Sequence, residues 1–290
     1  MNETLTHLLD QLDLEQLEDN LFRGQSTDLG NVSVFGGQVI GQALVAASRT
    51  VQDRTPHSLH AYFLLPGDVA APIVYEVERI RDGKSFSARR VQAIQHGRPI
   101  LSMISSFQVP ERGLEHQVPM PDVPPPEQLQ SYEDLRAQWV AEAGPLHPKI
   151  LAALDRRLAM DFKPVRPWNL LKPSAGEPRQ AIWFRAVDAL PDSPMLHLGM
   201  LAYATDFNLI GTALRPHAKS WFGGEMIMAS LDHALWFHRP ARIDDWLLYT
   251  MDSPSAQGAR GMTRGLIYDR AGALVASVAQ EGLMRVRSRR

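Results

Sequence analysis

The chain contains no cysteine among its 290 residues. That excludes disulfides, thiolate-ligated zinc and a thiol nucleophile together. It also contains no Gly-x-Ser-x-Gly elbow, so a serine hydrolase of that design is excluded. The glycines at Gly36, Gly37 and Gly41 do not have the Gly-x-Gly-x-x-Gly spacing that a dinucleotide needs. No run is long and apolar enough to span a bilayer. Neither sign of charge dominates: 30 Lys and Arg stand against 32 Asp and Glu, a net charge of −2, which gives no support for nucleic-acid binding. The first residues lack a basic segment followed by an apolar core, and Ser288-Arg289-Arg290 is not a peroxisomal address. The expectation is a cytoplasmic protein. In that compartment the acceptor patterns Asn2-Glu3-Thr4 and Asn31-Val32-Ser33 mean little for glycosylation. Arg285, Arg287, Arg289 and Arg290 read as a solvated basic end.

What is present is an ordinary globular composition, 44% hydrophobic and 21% charged, long enough for one large domain or two of usual size. Apolar spacing predicts a helix over Thr4–Leu17 and a short strand over Asn20–Gln25. A helix rich in small residues follows from Gly36 to Ala47. Glycine is poor in helix interiors, so its presence there implies close approach of another backbone or of a ligand. The period then turns strand-like over His57–Leu65, Ile73–Arg81, Ser85–Gln95 and Ile100–Val109, with Asp82-Gly83 and His96-Gly97 at turns. From Gly113 to Gly176 proline is frequent, which reads as a linker with helices near Ser131–Ala143 and Ile150–Ala159 that wraps the outside of the fold. A strand over Gln180–Ala186 and a helix from Ser193 to Ile210 come next. Strands over Met226–His238, Trp246–Asp252, Ala259–Tyr268 and Ala273–Val286 end the chain.

The second run of elements repeats the first. His60-Ala61-Tyr62-Phe63 before Pro66 matches His233-Ala234-Leu235-Trp236-Phe237 before Pro240. Ser87-Ala88-Arg89 matches Gly258-Ala259-Arg260, and Gln108 matches Gln280. The offsets are 173, 171 and 172 residues. The expected fold class is α+β: two tandem units, each an antiparallel sheet covering one helix, over 1–112 and 179–290, joined by the segment 113–178.

Within the apolar helix that opens at Ser193-Pro194, Asp206 is anomalous. At helical spacing it shares a face with Gly199, Ala202, Tyr203 and Ile210. A carboxylate buried there must be paired or hydrogen-bonded. Two readings stand: a functional acid, or the exposed end of the helix capping a turn with Asn208. His57 and His60, and likewise His233 and His238, lack a carboxylate at metal-site spacing and read as packing residues. Asp232, next to His233, is a further acid–base candidate.

The long motifs Leu21-Phe22-Arg23-Gly24-Gln25, Phe35-Gly36-Gly37-Gln38-Val39, Phe63-Leu64-Leu65-Pro66-Gly67-Asp68, Arg81-Asp82-Gly83-Lys84-Ser85-Phe86-Ser87-Ala88-Arg89-Arg90-Val91, Leu231-Asp232-His233-Ala234-Leu235-Trp236-Phe237-His238-Arg239-Pro240 and Gln280-Glu281-Gly282 resemble the acyl-CoA thioesterase II family, whose fold is a double hotdog. The resemblance implies hydrolysis of medium- to long-chain acyl-CoA with no cofactor or metal, and a homo-oligomer, dimer or tetramer. It implies a water held by Asp206, Ser230 and Gln280, with serine where bacterial members often carry threonine. Water activated by a carboxylate suits a chain without a thiol or serine elbow. The start of the first helix, Gly36 and Gly37, is expected to face the thioester oxygen, since a helix N-terminus offers free N–H groups. Gln280 lies in register with apolar strand residues and reads equally as a buried structural amide. Ser230 reads equally as a small packing residue. The alternatives are a hotdog hydratase, which pairs its Asp with a His on the helix segment, and a non-catalytic acyl-CoA sensor.

Overall fold

Asn2 opens the first helix, α1 (Glu3–Leu12), by accepting from the Thr4 N–H. The computed structural model describes residues 2–29, 33–222 and 224–287; Asn31 and Val32 of one acceptor pattern, and Arg289 and Arg290 of the basic end, lie outside them. The helix stops short of the expected Leu17. Arg49 reaches from a later helix to bond Asp13 and the Leu14 carbonyl. The chain then enters β1 (Glu15–Glu18), where Glu15 pairs with Arg23 of β2 (Leu21–Gly24).

The first unit continues with α2 (Gly36–Ser48), β3 (Thr55–Phe63), β4 (Ile73–Asp82), β5 (Phe86–Gln95) and β6 (Arg98–Gln108). His96 and Gly97 both take positive φ, which makes the tight β5–β6 turn of the kind hairpins favour. The proline-rich segment holds a 3-10 turn at Pro126–Gln128, α3 (Tyr132–Ala143) and α4 (Pro148–Leu154). Ser131 and Asp134 form a capping box at α3. One strand in this segment escaped the sequence reading: β7 (Met160–Pro164) pairs with β8 (Arg179–Ala186), so sheet structure begins inside the presumed linker. The second unit goes on with α5 (Pro194–Ala204), a 3-10 helix over Ile210–His217, β9 (Met226–Ser230), β10 (Asp232–Phe237), β11 (Leu247–Gln257), β12 (Arg260–Tyr268) and β13 (Leu274–Val286).

Among the described residues, all thirteen strands join one antiparallel sheet in the order β1-β2-β4-β5-β6-β3-β10-β13-β12-β11-β8-β7, with β9 also on β13. Read outward from the β3–β10 junction the two halves mirror each other, so the duplication holds at the level of elements. The residue matches that suggested it do not hold face by face. His60 and Arg260 are exposed, whereas His233 and Arg89 are buried; Gln108 is half-buried and Gln280 is buried. Side chains alternate along a strand, so an offset wrong by one residue reverses the face. The proline-rich segment does wrap the second half: the Trp183 indole donates to the Pro124 carbonyl, and Gln117 bonds both Gly272 and Leu274.

Helices α2 and α5 pack closely within one continuous core. A Cβ on Gly37 would stand 2.2 Å from the Tyr203 carbonyl oxygen, and one on Gly41 3.0 Å from that of Gly199. The glycines that looked out of place in α2 are there so that a second backbone can lie against it.

Burial holds His57, His197, His233 and His238 below the ordinary imidazole pKa. Between those depressed values and about 6.5 the unfolded chain binds more protons than the folded one, so stability falls as pH falls through that window. Asp82 and Asp244, held low chiefly by hydrogen bonds from arginine, lose their contribution only below about pH 4. The urea midpoint is therefore expected to be lower at pH 5.5 than at pH 7.5. A midpoint that rises on acidification contradicts this account.

Candidate active site

Asp206 is placed by the way α5 ends. The helix stops at Ala204, not at the expected Ile210. The Thr205 hydroxyl donates back to the Ala202 carbonyl, and the Tyr249 phenol, from β11, donates to the Thr205 carbonyl at 3.0 Å. Because the Thr205 proton is spent on Ala202, its oxygen accepts from His233 Nε2–H at 3.0 Å. That fixes the imidazole as the Nε2 tautomer. Burial keeps the ring neutral although the Asp206 charge pulls the other way, and burial, with the Asp206 charge adding, pushes the Tyr249 phenol up. Two side chains from the sheet thus clamp the residue before Asp206. Asn208, two residues on, takes a left-handed φ of 65° and turns the chain away.

Asp206 is 8% exposed, and both its oxygens are engaged. Oδ2 accepts from the Gly37 N–H at 2.9 Å. Oδ1 accepts from Gln280 Nε2 at 2.6 Å and from the Ser230 hydroxyl at 3.2 Å. Gln280 Nε2 also donates to Ser230 Oγ at 2.9 Å. A flipped Gln280 would turn its own oxygen toward a carboxylate, so the amide has one acceptable orientation. Its Oε1 is buried without a hydrogen-bond partner among the described residues.

The three residues expected at the site therefore meet, from three separate elements. Sequence placed Ser230 and Gln280 within single long strands; the structure adds how they are aimed. Met226–His238 is not one strand. It breaks at Leu231 into β9 and β10, with Ser230 opposite Gly282 of β13. Asp232 stitches the break by accepting from the Glu281 N–H at 2.7 Å. That backbone bond accounts for Asp232, which is not part of the cluster. A Cβ on Gly282 would strike Ile210, so that glycine lets the 3-10 helix lie over the strand beside Ser230.

The helix start that was expected to oppose Asp206 does touch it, with a change of role. The Gly37 N–H holds the carboxylate, so it is not the free oxyanion donor expected of it. Gly36 is packed so tightly that an added Cβ would lie 2.7 Å from Asp206 Oδ2. Tyr203 is buried at the helix seam against Phe35 and Phe207. The histidines behave as packing and hydrogen-bonding residues: His57 meets Ser106, His60 meets the Trp236 ring, and His238 meets Ser277. Among the described residues no helix is long and apolar enough to cross a membrane.

Comparison with known proteins shows the family. The family described as "Acyl-CoA thioesterase" matches residues 154–283, and the "Acyl-CoA thioesterase N-terminal domain" matches residues 25–108. The chain is 43% identical over 289 residues to acyl-CoA thioesterase 2 of Haemophilus influenzae, covering 98% of this chain and 99% of that protein. A crystal structure of an acyl-CoA thioesterase II from Mycobacterium marinum superposes with a TM-score of 0.79 at 44% identity, over 97% of this chain and 99% of that one. A protein of Alicyclobacillus acidocaldarius described as having a hot dog fold superposes at 0.76 with 19% identity, over 97% of this chain and 99% of that one, a likeness of fold. With its α+β double hotdog architecture, this chain belongs to the acyl-CoA thioesterase II family and is a thioester hydrolase.

Proposed function

We propose that the protein hydrolyses medium- to long-chain fatty acyl-CoA by a water activated at Asp206, with Ser230 and Gln280 fixing that water. The supporting observation is the convergence of Gln280 and Ser230, from two strands, on one oxygen of a carboxylate that a third element presents. Ser230 is half-buried, and the water of this reading enters on its side of the cluster. The water oxygen bonds to the thioester carbon while its proton passes to Asp206. The C–S bond then breaks, the proton returns to the departing thiolate, and fatty acid and CoA leave. The Gly36 N–H, in the first turn of α2, has no intrahelical partner and is the amide left to receive the developing oxyanion. No acyl-enzyme and no cofactor enter. A homo-oligomer, dimer or tetramer, in the cytoplasm completes the reading. The hydratase alternative is disfavoured because the next histidine after Asp206 is His217, at the far end of the 3-10 helix.

The direct test is CoA release measured across acyl lengths. Rising kcat/KM from short to longer chains is expected, and absence of release at every length overturns the reading. Ser230→Ala is expected to lower kcat by about tenfold to a hundredfold through a misplaced water. Ser230→Thr, which keeps the hydroxyl, stays within a few-fold of wild type. Equal losses in the two variants would show that the hydroxyl is not the operative feature.

A further inference from the structure

Just past the end of its central helix, each unit carries a buried threonine that the sheet grips. In the first unit the Thr50 hydroxyl donates back to the Ala47 carbonyl at 2.8 Å, as the Thr205 hydroxyl does to Ala202 at 2.9 Å in the second. One side chain holds Thr50. Arg89, from β5, donates from Nε to its hydroxyl oxygen at 2.8 Å and from Nη2 to its carbonyl at 3.0 Å. Thr205 receives the same two bonds from two side chains: His233 Nε2 on the hydroxyl and the Tyr249 phenol on the carbonyl, both at 3.0 Å. The sheet therefore makes one pair of contacts in both units but changes the charge, a guanidinium in the first and two neutral donors in the second. Arg89 can carry its charge there because Asp82 pairs with it at 2.7 Å.

The residue that follows each threonine accounts for the change. Val51 follows Thr50 and packs against the core, where a nearby cation alters no chemistry. Asp206 follows Thr205. A cation close to a carboxylate favours its charged form and makes it a poorer acceptor of a proton. The Asp206 charge reaches the His233 ring, so a charge on that ring would act on Asp206 in return. The surroundings keep the ring neutral. His233 is 1% exposed, and its Nδ1 is buried without a hydrogen-bond partner among the described residues. A proton placed on Nδ1 would be a buried donor with nothing to accept it. The titratable groups that meet at this peptide are Asp206, His233 from β10 and Tyr249 from β11, and the buried phenol keeps its proton. We propose that His233 and Tyr249 are positioning residues for Asp206: they fix the peptide that leads into it, as Arg89 fixes the peptide that leads into Val51, but with uncharged donors that leave the acid free to take a proton. The inference rests on the reading of Asp206 as the base and names what orients it.

The test has a kinetic arm and a spectroscopic arm. Steady-state constants for one acyl-CoA are measured for wild type, Tyr249→Phe, His233→Ala, His233→Gln and Asp206→Asn. Tyr249→Phe and His233→Ala each lower kcat about tenfold with KM unchanged, because the base is displaced while substrate binding is not. His233→Gln, whose amide N–H can still donate to the Thr205 hydroxyl, recovers most of that loss. A purely structural role would lower the melting temperature and leave kcat of the folded protein as it was. In the second arm, nitrogen-15 NMR of the wild-type histidines, with His233 assigned from His233→Gln, shows a neutral ring protonated at Nε2 at every pH where the enzyme turns over. Wild-type kcat in folded Tyr249→Phe overturns the inference, as do equal losses in His233→Ala and His233→Gln, or an imidazolium at the working pH. Should His233→Ala fail to fold, Tyr249→Phe and the NMR signal decide. Turnover lost in Asp206→Asn but indifferent to residues 233 and 249 sinks this inference alone. Turnover indifferent to Asp206→Asn sinks the reading of the base, and this inference with it.

Discussion

Asp206→Asn is expected to reduce kcat by about 10²–10⁴-fold, the range that a positioned general base contributes, with KM little changed. The substitution is nearly isosteric but cannot take a proton from water. It also removes one acceptor from a site with three donors: the Gly37 N–H, the Gln280 amide and the Ser230 hydroxyl. Asparagine offers one oxygen, so at least one donor faces an NH2 group. That costs about 1–3 kcal/mol of stability if no side chain readjusts. The expected signature is a modest fall in melting temperature beside a collapse in turnover. Near-normal kcat in a folded Asp206→Asn protein would show that the base lies elsewhere.

Gly37→Ala is the second large effect, and it acts on the other side of the same hydrogen bond. The new methyl would sit 2.2 Å from the Tyr203 carbonyl oxygen and 2.5 Å from the Phe35 ring. A ring can turn, but a main-chain carbonyl inside a buried helix cannot. The two helices must part, and overpacking of this kind costs about 1–3 kcal/mol or more. Moving residue 37 also withdraws its N–H from Asp206 Oδ2. Both melting temperature and kcat are expected to fall, in contrast to the turnover-dominated loss in Asp206→Asn. A Gly37→Ala protein with the wild-type melt and rate would mean that the seam is looser than described.

Much of this was legible in the sequence because it depends on local patterning. The helix expected near Ser131–Ala143 is α3, and the alternation through Leu274, Ala276, Val278 and Gln280 places β13 and the inward face of Gln280. What was not legible depends on distant partners. The sequence from Ser193 to Ile210 is apolar enough to be one helix; it ends early because Tyr249 and His233, from the sheet, take the polar atoms of Thr205. The break at Leu231 has the same origin, a carboxylate on one strand bonding an amide on another. The role of Gly37 could not be read from sequence either, since nothing local says that the helix start meets a carboxylate 169 residues away. The repeat misleads in a third way: similar short motifs lie at nearly constant offsets yet point to opposite faces of the sheet.

Asp206 comes from one copy of the duplicated unit and the Gly37 amide that holds it from the other, within a sheet that runs unbroken through β3 and β10. In a symmetric pair of identical subunits every substitution would strike both positions at once. Fusion into one chain frees each copy from that constraint, so that in the proposed mechanism one copy supplies the base and its sibling holds that acid still. On that mechanism, a lesion in the amino-terminal half is expected to cripple turnover without touching a group that handles the proton.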